Sequence, residues 1–399
     1  MWVTKSQIEI SKRLSDLKIL DILFLEPYDG GSHRAFRAGL MAQSKHRIES
    51  LTLPPRFWKW RMRGAAPFFA DIINDRKGNP SDLIVSTDFL NFADLRGLLH
   101  PPWDRVPCLL YMHENQLTYP LSPEEEFDFH FGFTNIISAL AAESLVFNSD
   151  YHRQLFLASL PSYLAKMPEA VPKHVRDRLA KKSIAMPVGL ERTPHPPESY
   201  APYLGGSCSP EVGPPWPRDG KAITILWNHR WEFDKRPDLF ARVLLRLADE
   251  GIPFQILLLG EPHGHEELFI PLRDKLDRRC LAYGYLPDRA RYDQMLTRAD
   301  IVVSCAEQEY FGIAVAEAIH AGAYALLPRS QVYPSLYGSR CKGRHFYRGE
   351  AELESILREL LTTSNCGHVC SLPLDCDVFC WERLISRYDD LFCEVAGKE

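Results

Sequence analysis

The 399-residue chain has no run approaching the roughly 18–20 uninterrupted apolar residues of a spanning helix, and its first residues, MWVTKSQIEISKRLSDLK, lack the apolar core of a secretory signal. A cytoplasmic protein without membrane contact is expected. Nor does one sign of charge dominate: 47 Lys and Arg stand against 52 Asp and Glu, a formal −5, which argues against indiscriminate coating of nucleic acid and leaves room for a local basic patch. Common catalytic signatures are missing as well. There is no HExxH, no P-loop and no evident Ser-His-Asp set, so nothing points to a zinc hydrolase, a phosphate-loop enzyme or a serine hydrolase. With 45% hydrophobic and 25% charged residues the composition is that of a globular protein, and it excludes disordered, collagen-like and disulfide-scaffold chains.

The length fits two domains of roughly 150–200 residues each. From Asp21, short aliphatic or β-branched runs (DILFLEPY, DLIVSTDFL, PCLLYMHE, SLVFNS) alternate with amphipathic stretches, the pattern of a parallel sheet covered by helices on both faces. The rhythm stops in PPESYAPYLGGSCSPEVGPPWPRDG and resumes with AITILWNHR, FQILLLG, DIVVSCA and AYALLP. The expected organisation is an N-terminal Rossmann-like domain over 17–200, a linker at 201–220 and a second doubly wound domain over 221–378, with ligands held at the carboxyl ends of the strands in a cleft between them. A helix over 379–397, with Leu384, Ile385, Tyr388, Leu391 and Phe392 along one face, is expected to pack back toward the N-terminal domain.

Ten cysteines are scattered, and Cys108, Cys280 and Cys305 fall in predicted strands, as reduced, buried thiols would. Cys366, Cys370, Cys376 and Cys380 form two CxxxC pairs with His368 between, but the five residues separating the pairs are fewer than structural zinc sites use. They are read as buried thiols on a turn, with a structural zinc as the alternative left open.

The chemistry-bearing segments lie at strand ends. In SCAEQEYFGIAVAEAIHAGAYALLP, a helix starting near Gly312 points the amides of Phe311, Gly312 and Ile313 outward, where the helix dipole favours a diphosphate. Glu317, two turns in, suits a ribose diol, and Glu309, in the loop ahead beside Tyr310, suits a sugar hydroxyl. In WNHRWEFDKRPDLF, Arg230 and Lys235 follow a strand and precede a helix, a placement that neutralises a departing diphosphate. PYDGGSHRAF sets Gly30, Gly31, Ser32 and His33 at another strand-to-helix turn without GxGxxG, which disfavours a nicotinamide dinucleotide. His113 ends the strand LLYMHE.

The EX7E spacing of Glu309 and Glu317, the YFGI helix start and the AIHAGAYALLP that follows resemble the signature of family-4 retaining glycosyltransferases of GT-B fold. That resemblance implies two facing Rossmann-like domains and a nucleotide-sugar donor held by Gly30, Gly31, Ser32, Tyr310, Phe311, Gly312, Ile313 and Glu317. It implies catalytic roles for Arg230, Lys235, Glu309 and His113, and neither a covalent nucleophile nor a catalytic metal. Ser149 and Arg153 in FNSDYHRQ fit the same pattern, whereas MPVGL (186–190) departs from the usual IPNGVD in carrying Val for Asn.

LEPYDGGSHRAF, STDFLNFADL and YMHENQLTYP together resemble one branch of these enzymes, the tRNA-queuosine mannosyltransferases. The resemblance implies transfer of mannose from GDP-mannose to the cyclopentenediol of queuosine in the anticodon of tRNA-Asp. Bottom-up, Asp88, Asn91, Glu114, Asn115 and Gln116 offer hydrogen bonds suited to a small diol, and His33 stands with them as an acceptor contact. RFWKWRMR interleaves Arg56, Lys59, Arg61 and Arg63 with Phe57, Trp58 and Trp60, the mixture that pairs phosphate contacts with stacking surfaces. A second basic stretch, KHVRDRLAKK (173–182), reads as an exposed helix face. Two other readings stay open: the same fold acting on a polysaccharide or small-molecule acceptor, and a non-catalytic nucleotide-sugar or RNA-binding protein.

Overall fold

A computed structural model describes residues 19–122, 125–192, 222–262, 266–338, 345–362 and 376–397. The linker at 201–220, Cys366, His368 and Cys370 lie outside the described residues. The chain divides into two compact units. One takes in the described residues of Met1–Tyr119, Glu126–Gly189 and Trp381–Glu399, the other those of Pro120–Glu125 and Leu190–Cys380.

The first unit is a six-stranded sheet, β1 (Asp21–Glu26), β2 (Arg47–Thr52), β3 (Leu83–Thr87), β4 (Cys108–Met112), β5 (Ser144–Phe147) and β6 (Ser183–Ala185), ordered β2-β1-β3-β4-β5-β6. Every pairing is parallel. Its helices are α1 (Gly31–Gln43), α2 (Trp58–Asn74), α3 (Phe92–Leu98), α4 (Phe129–Ala141), α5 (Asp150–Leu164), α6 (Val175–Lys181) and α13 (Trp381–Val395). β3 and β4 are buried at every position, in keeping with the mostly apolar LIVST and CLLYM, of which Ser86 and Thr87 at the carboxyl end of β3 are buried polar residues, while edge strand β2 alternates as a half-covered strand must.

α13 is an integral part of this unit. Trp381 lies against the backbone of α1 and of the loop after β6: a Cβ on Gly39 would stand 2.1 Å from its Nε1, and one on Gly189 2.2 Å from its ring, so only glycine fits at either position. Tyr388 donates to Pro187 O at 2.8 Å, and Asp389 accepts from Ser44 Oγ at 2.6 Å. Leu384, Tyr388, Leu391 and Phe392 are buried, and Ile385 is half-buried.

The second unit repeats the architecture with β7 (Thr224–Trp227), β8 (Gln255–Leu259), β9 (Cys280–Gly284), β10 (Ile301–Val303), β11 (Tyr324–Pro328) and β12 (Phe346–Tyr347), ordered β12-β11-β10-β7-β8-β9 and parallel throughout. Its helices are α7 (Pro237–Asp249), α8 (Ile270–Leu276), α9 (Arg289–Leu296), α10 (Ile313–His320), α11 (Tyr333–Tyr337) and α12 (Glu350–Thr362). No described helix is long and apolar enough to cross a membrane.

The helix expected near Gly312 begins at Ile313, with Gly312 as its N-cap. Two local expectations need adjustment. Cys305 is buried just beyond β10 rather than inside it, and Cys280 in β9 is only half-buried, because β9 is an edge strand. The strand before MPVGL stops at Ala185, and the segment that follows serves instead as the seat of Tyr388.

Candidate functional site

In a parallel sheet the strand carboxyl ends collect the crossover loops, and the polar residues singled out in the sequence gather there. In the first unit Glu26, the last residue of β1, is fully buried. Its Oε1 accepts from the Tyr28 amide at 2.9 Å and from Thr87 Oγ1 at 3.0 Å, and lies 3.1 Å from His33 Nδ1. His33 reaches it from the first turn of α1. Gly31, with φ of +50°, opens that helix in the left-handed region, and a Cβ on Gly30 would fall 2.4 Å from Pro55 Cβ, so both glycines of the turn are required. Ser32 is half-buried between Gly31 and His33.

The His33 imidazole stacks on His113 with ring centres 4.1 Å apart. Burial alone would lower its pKa, but the Glu26 carboxylate outweighs burial and holds it at about 9, so His33 is a cation. His113 is the opposite case: burial, then the charge of His33, push it well below the usual histidine range, and it stays neutral. Its amide donates to Asp88 Oδ1 at 2.8 Å, while its Nε2 is buried without a hydrogen-bond partner among the described residues. Burial pushes the Asp88 carboxyl up to about 7, His33 opposing the shift and Glu114 adding to it. An orphaned imidazole nitrogen beside a carboxyl that titrates near neutrality is an arrangement that binding a hydroxylated ligand would complete.

The remaining acceptor candidates do not all join this cluster. Asn91 caps α3, accepting from the Asp94 amide and donating to its carboxylate. Asn115 is turned inward: its Oδ1 accepts from the Leu117 and Thr118 amides and its Nδ2 contacts Thr118 and His152. Gln116 donates through Nε2 to Glu114 Oε1 at 2.8 Å. Asn and Asp satisfy nearby backbone amides so readily that turn residues and ligand contacts look alike in sequence. Ser149 similarly caps α5, and Arg153 pairs with Asp150.

The aromatic and basic stretch forms the first turns of α2. Phe57 is the N-cap in the left-handed region, with φ of 57°, and is 70% exposed; Trp60 is 64% exposed. Lys59 lies over Trp58, Arg56 over Phe57 and Arg63 over Phe131. Arg61 donates to Pro54 O. Trp58 turns inward and touches Phe89 at 5.9 Å; Phe89 in turn stacks on His33 at 5.3 Å. A row of rings, Trp58, Phe89, His33 and His113, therefore runs from the exposed tip of α2 to the buried histidine pair.

In the second unit Lys235 is buried, donating to Gln308 O at 2.7 Å with Asp234 Oδ2 at 3.0 Å and Glu309 Oε2 at 3.4 Å. Burial would lower its pKa, but Glu309 and Asp234 outweigh it and hold the ammonium above its usual range. Arg230 pairs with Glu232 at 3.2 Å and is partly exposed. Gly312, with φ of +80°, turns the chain into α10; a Cβ there would meet Glu309 Cγ and Tyr333 Cε1, each at 3.3 Å. With Gly312 as N-cap, the amides without intrahelical partners are those of Gly312, Ile313, Ala314 and Val315, which include two of the three expected; Phe311 lies ahead of the helix. Tyr310 and Phe311 are buried ahead of it. Glu317 accepts from Arg289 Nη1 at 2.7 Å and Tyr292 Oη at 3.2 Å, and burial raises its pKa.

Several participants escape the sequence. Glu26 reads as the end of a strand, and Asn228, His229 and Gln308 carry no motif. Yet Asn228 Oδ1, His229 Nε2 and Gln308 Nε2 are buried without hydrogen-bond partners among the described residues, and they neighbour Arg230 and Glu309 in the chain. Burial, reinforced by Lys235, depresses His229 to about 3. An unmet buried group costs about 1–3 kcal/mol, which a hydrogen bond from a ligand would recover. Glu26, His33 and His113 offer ligand atoms within 4.8 Å of one another, but the two rings are stacked, 29° from parallel, so their in-plane lone pairs point side by side rather than converging on an ion.

Comparison with known proteins agrees with this division. Residues 21–190 match the model described as tRNA-queuosine alpha-mannosyltransferase N-terminal, and residues 211–366 match glycosyl transferases group 1. Among solved structures, sucrose-phosphate synthase from Thermosynechococcus elongatus aligns with a TM-score of 0.66 at 14% identity over 95% of this chain and all of that one. Anabaena HepE, in complex with UDP and glucose, aligns with 0.59 at 16% identity over 94% of this chain and all of that one. At these identities they establish the fold, which is GT-B. A curated relative from Drosophila melanogaster, named tRNA-queuosine alpha-mannosyltransferase, is 33% identical over 320 residues, covering 79% of this chain and 81% of its own. The chain is therefore a glycosyltransferase of GT-B fold that belongs to the tRNA-queuosine alpha-mannosyltransferase family.

Proposed function

We propose that this protein transfers mannose from GDP-mannose, with retention of configuration, to a hydroxyl of the cyclopentenediol of queuosine in the anticodon of tRNA-Asp, and that it does so in the cytoplasm. The observation that carries the reading is the row of rings from Trp58 through Phe89 and His33 to His113. Its outer end combines exposed aromatic rings with Arg56, Lys59, Arg61 and Arg63, groups suited to unstacked bases and phosphates. Its inner end presents His113 Nε2 and the Asp88 carboxyl, groups suited to a diol. A family that takes queuosine as acceptor needs both.

On the donor side, the free amides of residues 313–315 and the dipole of α10 favour a diphosphate, Arg230 and Lys235 offset the charge that develops on it, and Glu317 accepts from the ribose. The sugar C1–phosphate oxygen bond breaks as the acceptor oxygen bonds to C1 from the same face, and the acceptor proton passes to the departing phosphate. Glu309 holds Lys235 and engages a sugar hydroxyl. Side chains and amides supply every role in this scheme, so no catalytic metal is assigned.

The test is transfer itself. Purified protein and GDP-mannose are incubated with tRNA-Asp that carries or lacks queuosine, and the nucleosides are weighed by mass spectrometry. One added hexose on queuosine alone is expected, with UDP-glucose and UDP-N-acetylglucosamine inactive. Equal transfer to a polysaccharide or small glycoside, or none to queuosine, would displace the reading.

A further inference from the structure

We infer that Glu114 pairs with the protonated secondary amine that links the cyclopentenediol of queuosine to its base, so that the acceptor site selects queuosine by charge as well as by its hydroxyls. This pairing presupposes the acceptor proposed above. A cis-diol does not by itself identify queuosine, because the 3′-terminal ribose of a tRNA carries one too. The amine does: as an alkylamine it is protonated at neutral pH, and it brings a full charge with two N–H donors. A site that reads it needs an excess of carboxylate beside the groups that hold the diol.

The first unit has that excess. Glu26, Asp88 and Glu114 all act on one imidazolium, His33, and each favours its charge. Glu26 is committed there, with Oε1 and Oε2 at 3.1 and 3.2 Å from His33 Nδ1, and Oε1 also serves Thr87 and the Tyr28 amide. Asp88 is 2% exposed and holds the His113 amide. Glu114, the residue after His113, is half-buried and so the most accessible of the three, and Gln116 orients it by donating to its Oε1 at 2.8 Å. It repels Asp88, adding to the burial that raises that carboxyl, and an ammonium beside the two acids would relieve the repulsion. A separate observation marks this as ligand space. His113, 6% exposed, keeps Nε2 without a hydrogen-bond partner among the described residues, and one of its ring nitrogens lies within 4.8 Å of the Glu26 carboxylate and of a His33 nitrogen. Burial also grades in the order of the ligand's parts: the rings at the tip of α2 are exposed, Glu114 is half-buried, and Asp88 and His113 are buried, matching base, amine and diol in turn.

The experiment varies the charge of the acceptor and of its partner together. tRNA-Asp is prepared with queuosine, with queuosine methylated at the amine, which keeps the charge, and with queuosine formylated there, which removes it. Mannose transfer by the full-length wild type, Glu114→Gln and Glu114→Asp gives kcat/KM for each acceptor. In the wild type the methylated acceptor should stay close to queuosine and the formylated one should fall at least roughly tenfold, as for a lost charge-assisted hydrogen bond. In Glu114→Gln, queuosine should lose roughly tenfold, mainly in KM, while the formylated acceptor is unchanged, so that the two converge. Glu114→Asp should recover part of the preference. A uniform loss across the three acceptors in Glu114→Gln would show a structural role instead. Wild-type protein that acts on queuosine but uses the formylated and methylated acceptors equally, or a preference that survives in Glu114→Gln, would overturn the pairing and leave the proposed activity standing. No transfer to queuosine at all would remove both.

Discussion

Glu26 Oε1 stands 3.1 Å from His33 Nδ1 with both side chains buried, and the cation this creates faces the ring of a neutral His113. The pair has a consequence for stability against pH. His33 titrates at about 9 in the folded chain and near 6.5 when unfolded, so its contribution is fully present below about pH 6.5 and is lost as pH rises toward 9. Glu26→Gln removes the carboxylate that raises it. The wild type should be more stable than Glu26→Gln by on the order of 2–3 kcal/mol near pH 6, with the gap closing by about pH 9. Urea unfolding at a series of pH values measures this, and a gap independent of pH would show that Glu26 acts only by packing.

Asp88 gives a different signature, in activity. Its carboxyl is pushed up to about 7 by burial, and only the ionised form, which carries no O–H of its own, can accept from both hydroxyls of an incoming diol while holding the His113 amide. kcat/KM for the acceptor should therefore rise with pH through about 7, and Asp88→Asn should lose this acidic limb along with activity. An unchanged limb in the variant would assign the titration elsewhere.

Lys235 and Glu309 separate catalysis from folding. Lys235→Ala leaves Asp234 and Glu309 without the ammonium they share, so it should cost about 3–5 kcal/mol of stability as well as turnover. Glu309→Gln keeps the shape and most hydrogen bonds of the loop. It should lower kcat by roughly 10²–10³ with little change in Tm. Single-turnover kinetics beside a thermal melt tell the two apart, and wild-type turnover in Glu309→Gln would remove the role given to this carboxylate.

How far the sequence reveals such a site depends on the kind of signal each residue leaves. The alternation of apolar runs and amphipathic stretches shows both sheets, since strands covered on two faces are mostly apolar, as in β3 and β4. Glu309, Glu317, Arg230 and Lys235 stand out through their spacing next to strand ends. Glu26 and His229 do not, because their significance comes from burial against residues distant in sequence. Asn91 and Asn115 are ambiguous in sequence for the reverse reason: the short amide side chain that would bind a diol is equally good at closing its own turn, as both do here.

Gly312 tests how tightly the donor loop is set. Its φ of +80° is disfavoured for any residue with a Cβ, and that atom would press on Glu309 Cγ at 3.3 Å. Gly312→Ala should cost about 1–2 kcal/mol and, by displacing Glu309, raise KM for the nucleotide sugar. Isothermal titration with GDP-mannose checks it, and unaltered donor affinity would mean the loop yields without moving the carboxylate.

The tip of α2 separates charge from stacking. Neutralising Arg56, Lys59, Arg61 and Arg63 together should weaken tRNA binding most at low salt and flatten its dependence on ionic strength, because each lost phosphate contact removes about 0.7–0.9 from the logarithmic slope. Trp60→Ala, at an exposed ring, should instead cost about 1–3 kcal/mol in affinity with the slope unchanged. GDP-mannose binding, proposed for the other unit, should be unaffected by either. Filter binding across a salt series distinguishes the two effects, and tRNA affinity that ignores all five substitutions would reduce the segment to a solvated helix end.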